Sequence, residues 1–305
     1  MKRTSLFAFV ALALALCLGC SGARRDAERY CREGMERLAE NDVEGAAKCF
    51  DKSLETYPKF APALAGYGET ELRRQNFADA EARFNAALEI DSRMMVARSG
   101  RGEARLGLRK YQEAIDDFNA ALAVDPSLLN VLGHRGYAYV CVGEFDKALE
   151  DLDRCVAEAP TESSYYVNRG ILRQKRKEFD LGIADLTKSI ELEPGNPMNL
   201  AIRGKIYEDS GQWDASLEDY NKALELDVNC FPALKYRGGY FTHVGEWEQA
   251  LQDYSRALEL NGNDLDLLFK RASVLRQLGR EEDSQRDLDA INELDPSFLT
   301  GGSAN

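Results

Sequence analysis

The chain has 305 residues, 30% of them charged, and a net charge of −13. So acidic a balance argues against a general nucleic-acid binder, which needs clustered Lys and Arg against phosphate. Two histidines and seven irregularly spaced cysteines offer little material for a metal centre or a disulfide framework. In chain order, Lys2 and Arg3 precede an apolar run over 6–19 that is rich in Leu and Ala. This is the layout of a secretory leader, 1–19, too short to span a bilayer comfortably.

The leader closes on Leu16, Cys17, Leu18, Gly19, Cys20 and Ser21. Gly19 and Cys20 after an apolar run resemble a bacterial lipobox, in which the cysteine thiol is diacylated and becomes the new N-terminus. The resemblance implies lipidation of Cys20. Ser21 after it is compatible with sorting to an outer rather than an inner membrane. Cys17 stands where that motif favours Leu. A second reading stays open: cleavage after Ala23, with small Ser21 and Ala23 at the required places, would release a soluble protein. Residues 20–26 form a short linker, and the six residues after Cys20, 21–26, reach about 20 Å when extended.

From residue 27 the chain repeats every 34 residues, eight times without insertion: 27–60, 61–94, 95–128, 129–162, 163–196, 197–230, 231–264 and 265–298. Each unit reads as two short amphipathic helices, A and B, joined by a tight turn. Position 8 is Gly34, Gly68, Gly102, Gly136, Gly170, Gly204 and Gly238, then Ala272. Position 20 is small throughout. Position 24 is aromatic or Leu, from Phe50 to Leu288, and proline at position 32 ends helix B in five units. A glycine on helix A facing a small residue on helix B lets the helices approach, and the large residue at 24 fills the space beside them. One such hairpin cannot bury its apolar face alone, so neighbours must stack.

Along the array, 27–60 has a polar helix A and reads as an N-terminal cap. Pro62 sits in the first turn of 61–94, where a missing N–H costs nothing. Position 17 is aromatic from the second unit to the seventh: Phe77, Tyr111, Phe145, Phe179, Trp213 and Trp247. These read as plugs between helices. In units three to eight, position 7 is Arg101, Arg135, Arg169, Arg203, Arg237 and Arg271, and position 23 is Asp117, Asp151, Asp185, Asp219, Asp253 and Asp287. Both residue types are missing from the first two units. This joint occurrence predicts a ladder of Arg–Asp pairs within each repeat. Cys31, Cys49, Cys141, Cys155 and Cys230 read as small buried or half-buried residues. The last B helix is polar enough to be its own cap, the alternative being a docking end for another subunit, and 299–305 is expected to be a disordered tail.

Small residues at 8 and 20, an aromatic at 24, alanine at 27 and proline at 32, with period 34, resemble the tetratricopeptide repeat. The resemblance covers 27–298 and implies an all-α, right-handed α-solenoid whose A helices line a concave groove that binds peptides or proteins. By the same resemblance, positions 2, 5, 6, 9, 12 and 13 of helix A face that groove. There Arg32, Arg73, Lys175, Lys205, Lys235, Lys270 and Arg276 stand against Glu28, Glu69, Glu103, Glu208, Asp209 and Asp266. The groove is thus far less acidic than the rest of the chain, and Ala65, Gly66, Ser99 and Gly100 are expected to leave it open near its start. Tyr137, Asn168, Lys175, Lys205, Lys235 and Tyr236 are the candidate partner-binding residues, for an extended or helical segment that carries acidic charge. Relatives that hold a chaperone's C-terminal carboxylate pair Lys at position 5 with Asn at 9. Here Lys235 is followed by Gly239, so that reading is poor.

Catalysis finds no support. No phosphate-cradling glycine loop, nucleophile elbow or histidine with metal-spaced partners occurs. No catalytic residue, metal site or cofactor is assigned. The expectation is a non-enzymatic scaffold of the bacterial cell envelope, facing the periplasm on a lipid anchor. Its partners are protein segments of an envelope complex and, through the lipid, the membrane, with no nucleic acid and no small-molecule substrate. The alternative is a soluble periplasmic or secreted adaptor.

Overall fold

A computed structural model describes residues 4–299, with side chains from residue 22 onward. Among these residues there are sixteen helices and no strand. They pair in order as α1 (Thr4–Ala39) with α2 (Val43–Thr56), α3 (Ala61–Arg73) with α4 (Phe77–Ile90), α5 (Met95–Gly107) with α6 (Tyr111–Leu122), and α7 (Leu129–Val142) with α8 (Phe145–Glu158). Then follow α9 (Ser163–Lys175) with α10 (Phe179–Leu192), α11 (Pro197–Asp209) with α12 (Trp213–Leu226), α13 (Phe231–Val244) with α14 (Trp247–Leu260), and α15 (Leu265–Gln277) with α16 (Glu281–Leu294). This is an all-α helical-repeat solenoid. The chain divides into two units, Met1–Asp151 and Leu152–Asn305.

The side chain at position 24 is the core of each hairpin. Phe50, Phe84, Phe118, Leu152, Leu186, Tyr220 and Tyr254 are essentially inaccessible to solvent. The glycine at position 8 presses directly on that side chain. A Cβ at Gly102 would sit 2.5 Å from the Phe118 ring, and one at Gly204 would sit 2.6 Å from Tyr220. The close approach to position 20 expected from the sequence is present too, with a Cβ at Gly170 3.3 Å from Gly182 O and one at Gly204 3.2 Å from Ser216 O, and the ring at position 24 fills the space over the glycine. The ring's other side meets position 6 of the next repeat: Gly66 lies over Phe50, Gly100 over Phe84, and Tyr236 beside Tyr220. Gly66 and Gly100 are buried close-packing contacts, so they do not open a groove as expected. A methyl forced into such a contact costs about 1–3 kcal/mol.

The turn between helices A and B repeats one feature at position 15. Asn41, Gln75, Arg109, Gly143, Lys177, Gly211, Gly245 and Gly279 all have φ between 59° and 82°. This is the left-handed residue that ends a helix and lets the chain reverse. Between repeats, Asp91, Asp125 and Asp227 each accept the backbone N–H two residues on, which fixes the turn to the next helix A, and Asp295 makes the same turn after α16.

Two expectations about the chain's ends meet the structure. Residues 22–26 are helical and continuous with helix A of the first repeat, not extended. At 1.5 Å per residue the 21–26 stretch advances about 9 Å rather than about 20 Å. The thiol of Cys20 and the tail from 300 onward lie outside the described residues.

Candidate binding face

The arginine ladder is structural. In the first unit, Arg101 and Arg135 grip Asp117 and Asp151 with two parallel bonds each, 2.5–2.8 Å long. In the second unit, Arg169, Arg203, Arg237 and Arg271 hold Asp185, Asp219, Asp253 and Asp287 in the same way. The six aspartates are at most 5% exposed. Each arginine also spends Nη1 on the preceding repeat, at position 25: Asn85, Asn119, Asp153, Thr187, Asn221 and Ser255. The sequence reading found the pair within each repeat and missed this second acceptor, which ties one hairpin to the next. With its donors committed on both sides, the ladder is not a row of free anion-binding arginines.

Three of the aromatics at position 17, Phe77, Tyr111 and Trp213, are plugs between successive repeats. Phe77 lies against Gly107, and Trp213 stacks on His243 at 4.0 Å with the rings 9° from parallel. In both cases the partner is position 13 of the following helix A. Tyr111 meets Cys141 by the same rule.

In the first unit, Tyr137 is half-buried on α7. Burial, followed by the neighbouring Cys141 thiol, pushes its phenol up to about 12. Cys141 is exposed, unlike Cys31, Cys49, Cys155 and Cys230, which are buried; all five are free thiols. His134 Nδ1 lies 3.1 Å from Glu103 Oε1 without the alignment of a hydrogen bond.

In the second unit, Asn168 is half-buried and Lys175 exposed on α9. Lys175 has no ion-pair partner among the described residues. Lys205 on α11 is held by Glu208 at 2.6 Å and Asp209 at 2.8 Å. Lys235 on α13 is held by Asp264 at 3.0 Å and Asp266 at 3.1 Å, and Lys270 reaches the same Asp266. Burial, the largest influence on both Lys205 and Lys235, favours the neutral amine. The paired carboxylates together outweigh it and hold both lysines above their ordinary range. Tyr236 lies close to both. Burial raises its phenol, and the two ammonium groups pull part of the way back. Beneath it Tyr220 donates to Glu208 at 2.9 Å, and Gln174 on α9 donates to Asp209 at 2.7 Å.

The structure therefore brings Lys205, Lys235 and Tyr236 into one patch on successive A helices. It also shows what the sequence did not: Lys205, Lys235 and Lys270 face four carboxylates of their own chain, Glu208, Asp209, Asp264 and Asp266. Two of the candidate lysines are thus not free cations awaiting an acidic partner. The four carboxylates are visible in sequence, but their pairing is not, because Asp264 lies in the turn before α15. Among the described residues no group of three His, Cys, Asp or Glu side chains is placed to hold a metal ion.

A solenoid of A/B hairpins with a polar A-helix face defines the class: a helical-repeat protein of the kind built to hold other chains. The tetratricopeptide repeat profile matches residues 31–94, 99–163 and 203–261, more than half of the chain. The chain belongs to the tetratricopeptide repeat family. Among solved structures it is similar to a tetratricopeptide repeat protein from Parabacteroides merdae ATCC 43184, at 17% identity and TM-score 0.70, covering 82% of this chain and 99% of that one. It is similar to the Cut9–Hcn1 hetero-tetramer of APC/C at 15% identity and TM-score 0.66, covering 88% of this chain and 53% of that one. Human IFIT1, solved as a dimer with PPP-AAAA, matches at 18% identity and TM-score 0.64, covering 88% of this chain and 73% of that one. At these identities the likeness is one of fold. No curated protein sequence matches the chain.

Proposed function

We propose that this chain is a non-enzymatic scaffold of the bacterial cell envelope, which holds a partner segment against the A-helix face of α9, α11 and α13. The observation that carries this reading is the Lys205–Tyr236–Lys235 patch. A half-buried phenol stands between two lysines, each of which already has carboxylates to exchange. Such a face takes a segment that brings an aromatic or aliphatic contact for Tyr236 and charges of both signs for the flanking pairs. A purely acidic segment would have to displace four carboxylates, so a mixed-charge segment fits better than the acidic one the sequence suggested. Asn168 and the unpaired Lys175 extend the face along α9.

The export part of the proposal rests on the leader and on Cys20 after Gly19. In this reading diacylated Cys20 anchors the protein, facing the periplasm, to the outer membrane rather than the inner. Ser21 and Ala23 support the second reading, a soluble periplasmic or secreted adaptor. Mass spectrometry of the mature N-terminus separates them: a diacylated Cys20 supports the anchor, and a free terminus at Arg24 supports the soluble form. For the face, a photo-crosslinking residue in place of Tyr236 should give discrete adducts in the native host. These should disappear when Lys205→Glu and Lys235→Glu are added. The same crosslinker at Glu248, exposed on α14, should give none. Equal yields at the two positions would discard the A-helix face.

A further inference from the structure

The six rungs of the ladder are not equal at their second acceptor. In five of them Nη1 of the arginine meets an oxygen at 2.8–3.0 Å. In the sixth, Ser255 is too short, and Arg271 Nη1 stops 3.4 Å from its Oγ. The Ser255 hydroxyl donates to no acceptor among the described residues. Over this rung lies a cleft of about 290 Å³ between α14 and α16, with Arg271 beneath it and Arg280 and Arg286 at its rim. Only two carboxylates line it. Asp287 is taken by both prongs of Arg271, and Asp283 is shared by Arg280 and Arg286. Three guanidinium groups against two carboxylates leave one positive charge in surplus, and Leu251 and Leu275 form an apolar wall that strengthens its field.

We propose that this cleft binds a single oxyanion carried on a partner polypeptide, either a carboxylate or a phosphoryl group. The oxyanion takes the place of the side-chain oxygen that the other rungs supply. It accepts from Arg271 Nη1 and from the Ser255 hydroxyl, with Arg286 and Arg280 closing over it from the rim. The geometry suits guanidinium recognition, because Arg271 is already oriented by Asp287 and loses little freedom on binding. This site is separate from the A-helix face and does not depend on it.

The test uses the full chain with two minimal probes, inorganic phosphate and acetate, titrated at constant ionic strength and followed through the arginine Nε–H resonances. At least one probe should saturate in the millimolar range. Preference for phosphate assigns the phosphoryl source, and equal or tighter acetate binding assigns the carboxylate. Ser255→Asn supplies the longer acceptor found at Asn85, Asn119 and Asn221. It should weaken the preferred probe at least ten-fold while leaving the thermal midpoint unchanged or higher. Arg286→Gln should weaken it several-fold with the fold intact. The proposal is overturned if neither probe saturates, or if Ser255→Asn binds as well as the parent chain.

Discussion

The first two repeats and the six that follow build the same hairpin with different polar chemistry. In 27–60, Glu33 and Cys49 occupy the ladder positions. The thiol is buried, and burial followed by the Glu33 charge raises its pKa. In 61–94, Arg83 lies over the Tyr67 ring at 4.3 Å, so the cation has moved to helix B and an aromatic face replaces the carboxylate. From Arg101 onward every rung is an Arg–Asp fork. The glycine-on-ring contact is nonetheless the same in both regions: Gly34 on Phe50, Gly68 on Phe84, Gly102 on Phe118. The hairpin therefore does not need the ladder to form. What the ladder adds is register between neighbours, because each arginine is bonded to two repeats at once.

The largest effect expected from this contrast comes from breaking one rung. Asp219→Ala leaves the Arg203 guanidinium, 16% exposed, without its carboxylate, and should cost about 3–5 kcal/mol. Replacing both partners, Arg203→Met with Asp219→Leu, should recover most of that loss, because no buried charge is then left unpaired. Arg83→Ala in the second repeat should cost about 1–2 kcal/mol, the worth of a half-buried cation–π contact. Urea denaturation followed by circular dichroism measures all three. If Asp219→Ala costs no more than Arg83→Ala, the ladder carries no more stability than the contact it replaces.

A smaller effect lies at position 15, where both repeats of the first region, but only two of the six that follow, form the left-handed turn with a side chain. Asn41, Gln75, Arg109 and Lys177 adopt with a side chain what Gly143, Gly211, Gly245 and Gly279 adopt without one. The left-handed conformation costs a side-chain-bearing residue about 1–2 kcal/mol, and glycine's extra freedom in the unfolded chain takes back part of the gain. Gln75→Gly or Lys177→Gly should therefore raise stability by about 0.5–1 kcal/mol, while Gly211→Ala should lower it. Thermal unfolding of the single variants checks the sign. Lower midpoints for both glycine variants would mean that contacts of the replaced side chains outweigh the backbone strain.

These comparisons also mark what could be read from the chain alone. The period, the hairpin and the Arg–Asp pair were legible because each rests on one residue type recurring at a fixed position. Position 15 escaped because a left-handed φ is a backbone property, met here by Asn, Gln, Arg, Lys and Gly alike. The acceptor at position 25 escaped for a related reason: Asn, Asp, Thr and Ser all present an oxygen there, and no single letter repeats. The candidate face was only half legible. Lys205, Lys235 and Tyr236 share the expected face, but the carboxylates that hold the lysines come partly from a turn one hairpin away, which helix periodicity does not place.

The smallest expected effect separates the balanced patch from a free basic one. Burial works to raise the Asp266 carboxyl, but its bonds from Lys270 and Lys235 outweigh it and set its pKa below the ordinary carboxylate value. A depressed carboxylate pKa contributes stability that is present above the unfolded value and lost as pH falls through the folded one. Lys235 is shifted the other way, above its ordinary value, so its contribution is present below the unfolded lysine value and lost as pH rises through the folded one. The seventh and eighth repeats should thus be most stable across the broad range between these limits, and should loosen below about pH 4, where carboxylates begin to take up protons. Lys235→Met with Asp266→Asn should flatten that acid limb at this end of the chain, as read by hydrogen exchange of α13 and α15 amides. An acid limb unchanged in the double variant would show that the patch is held by packing around Tyr236 and Tyr254 alone.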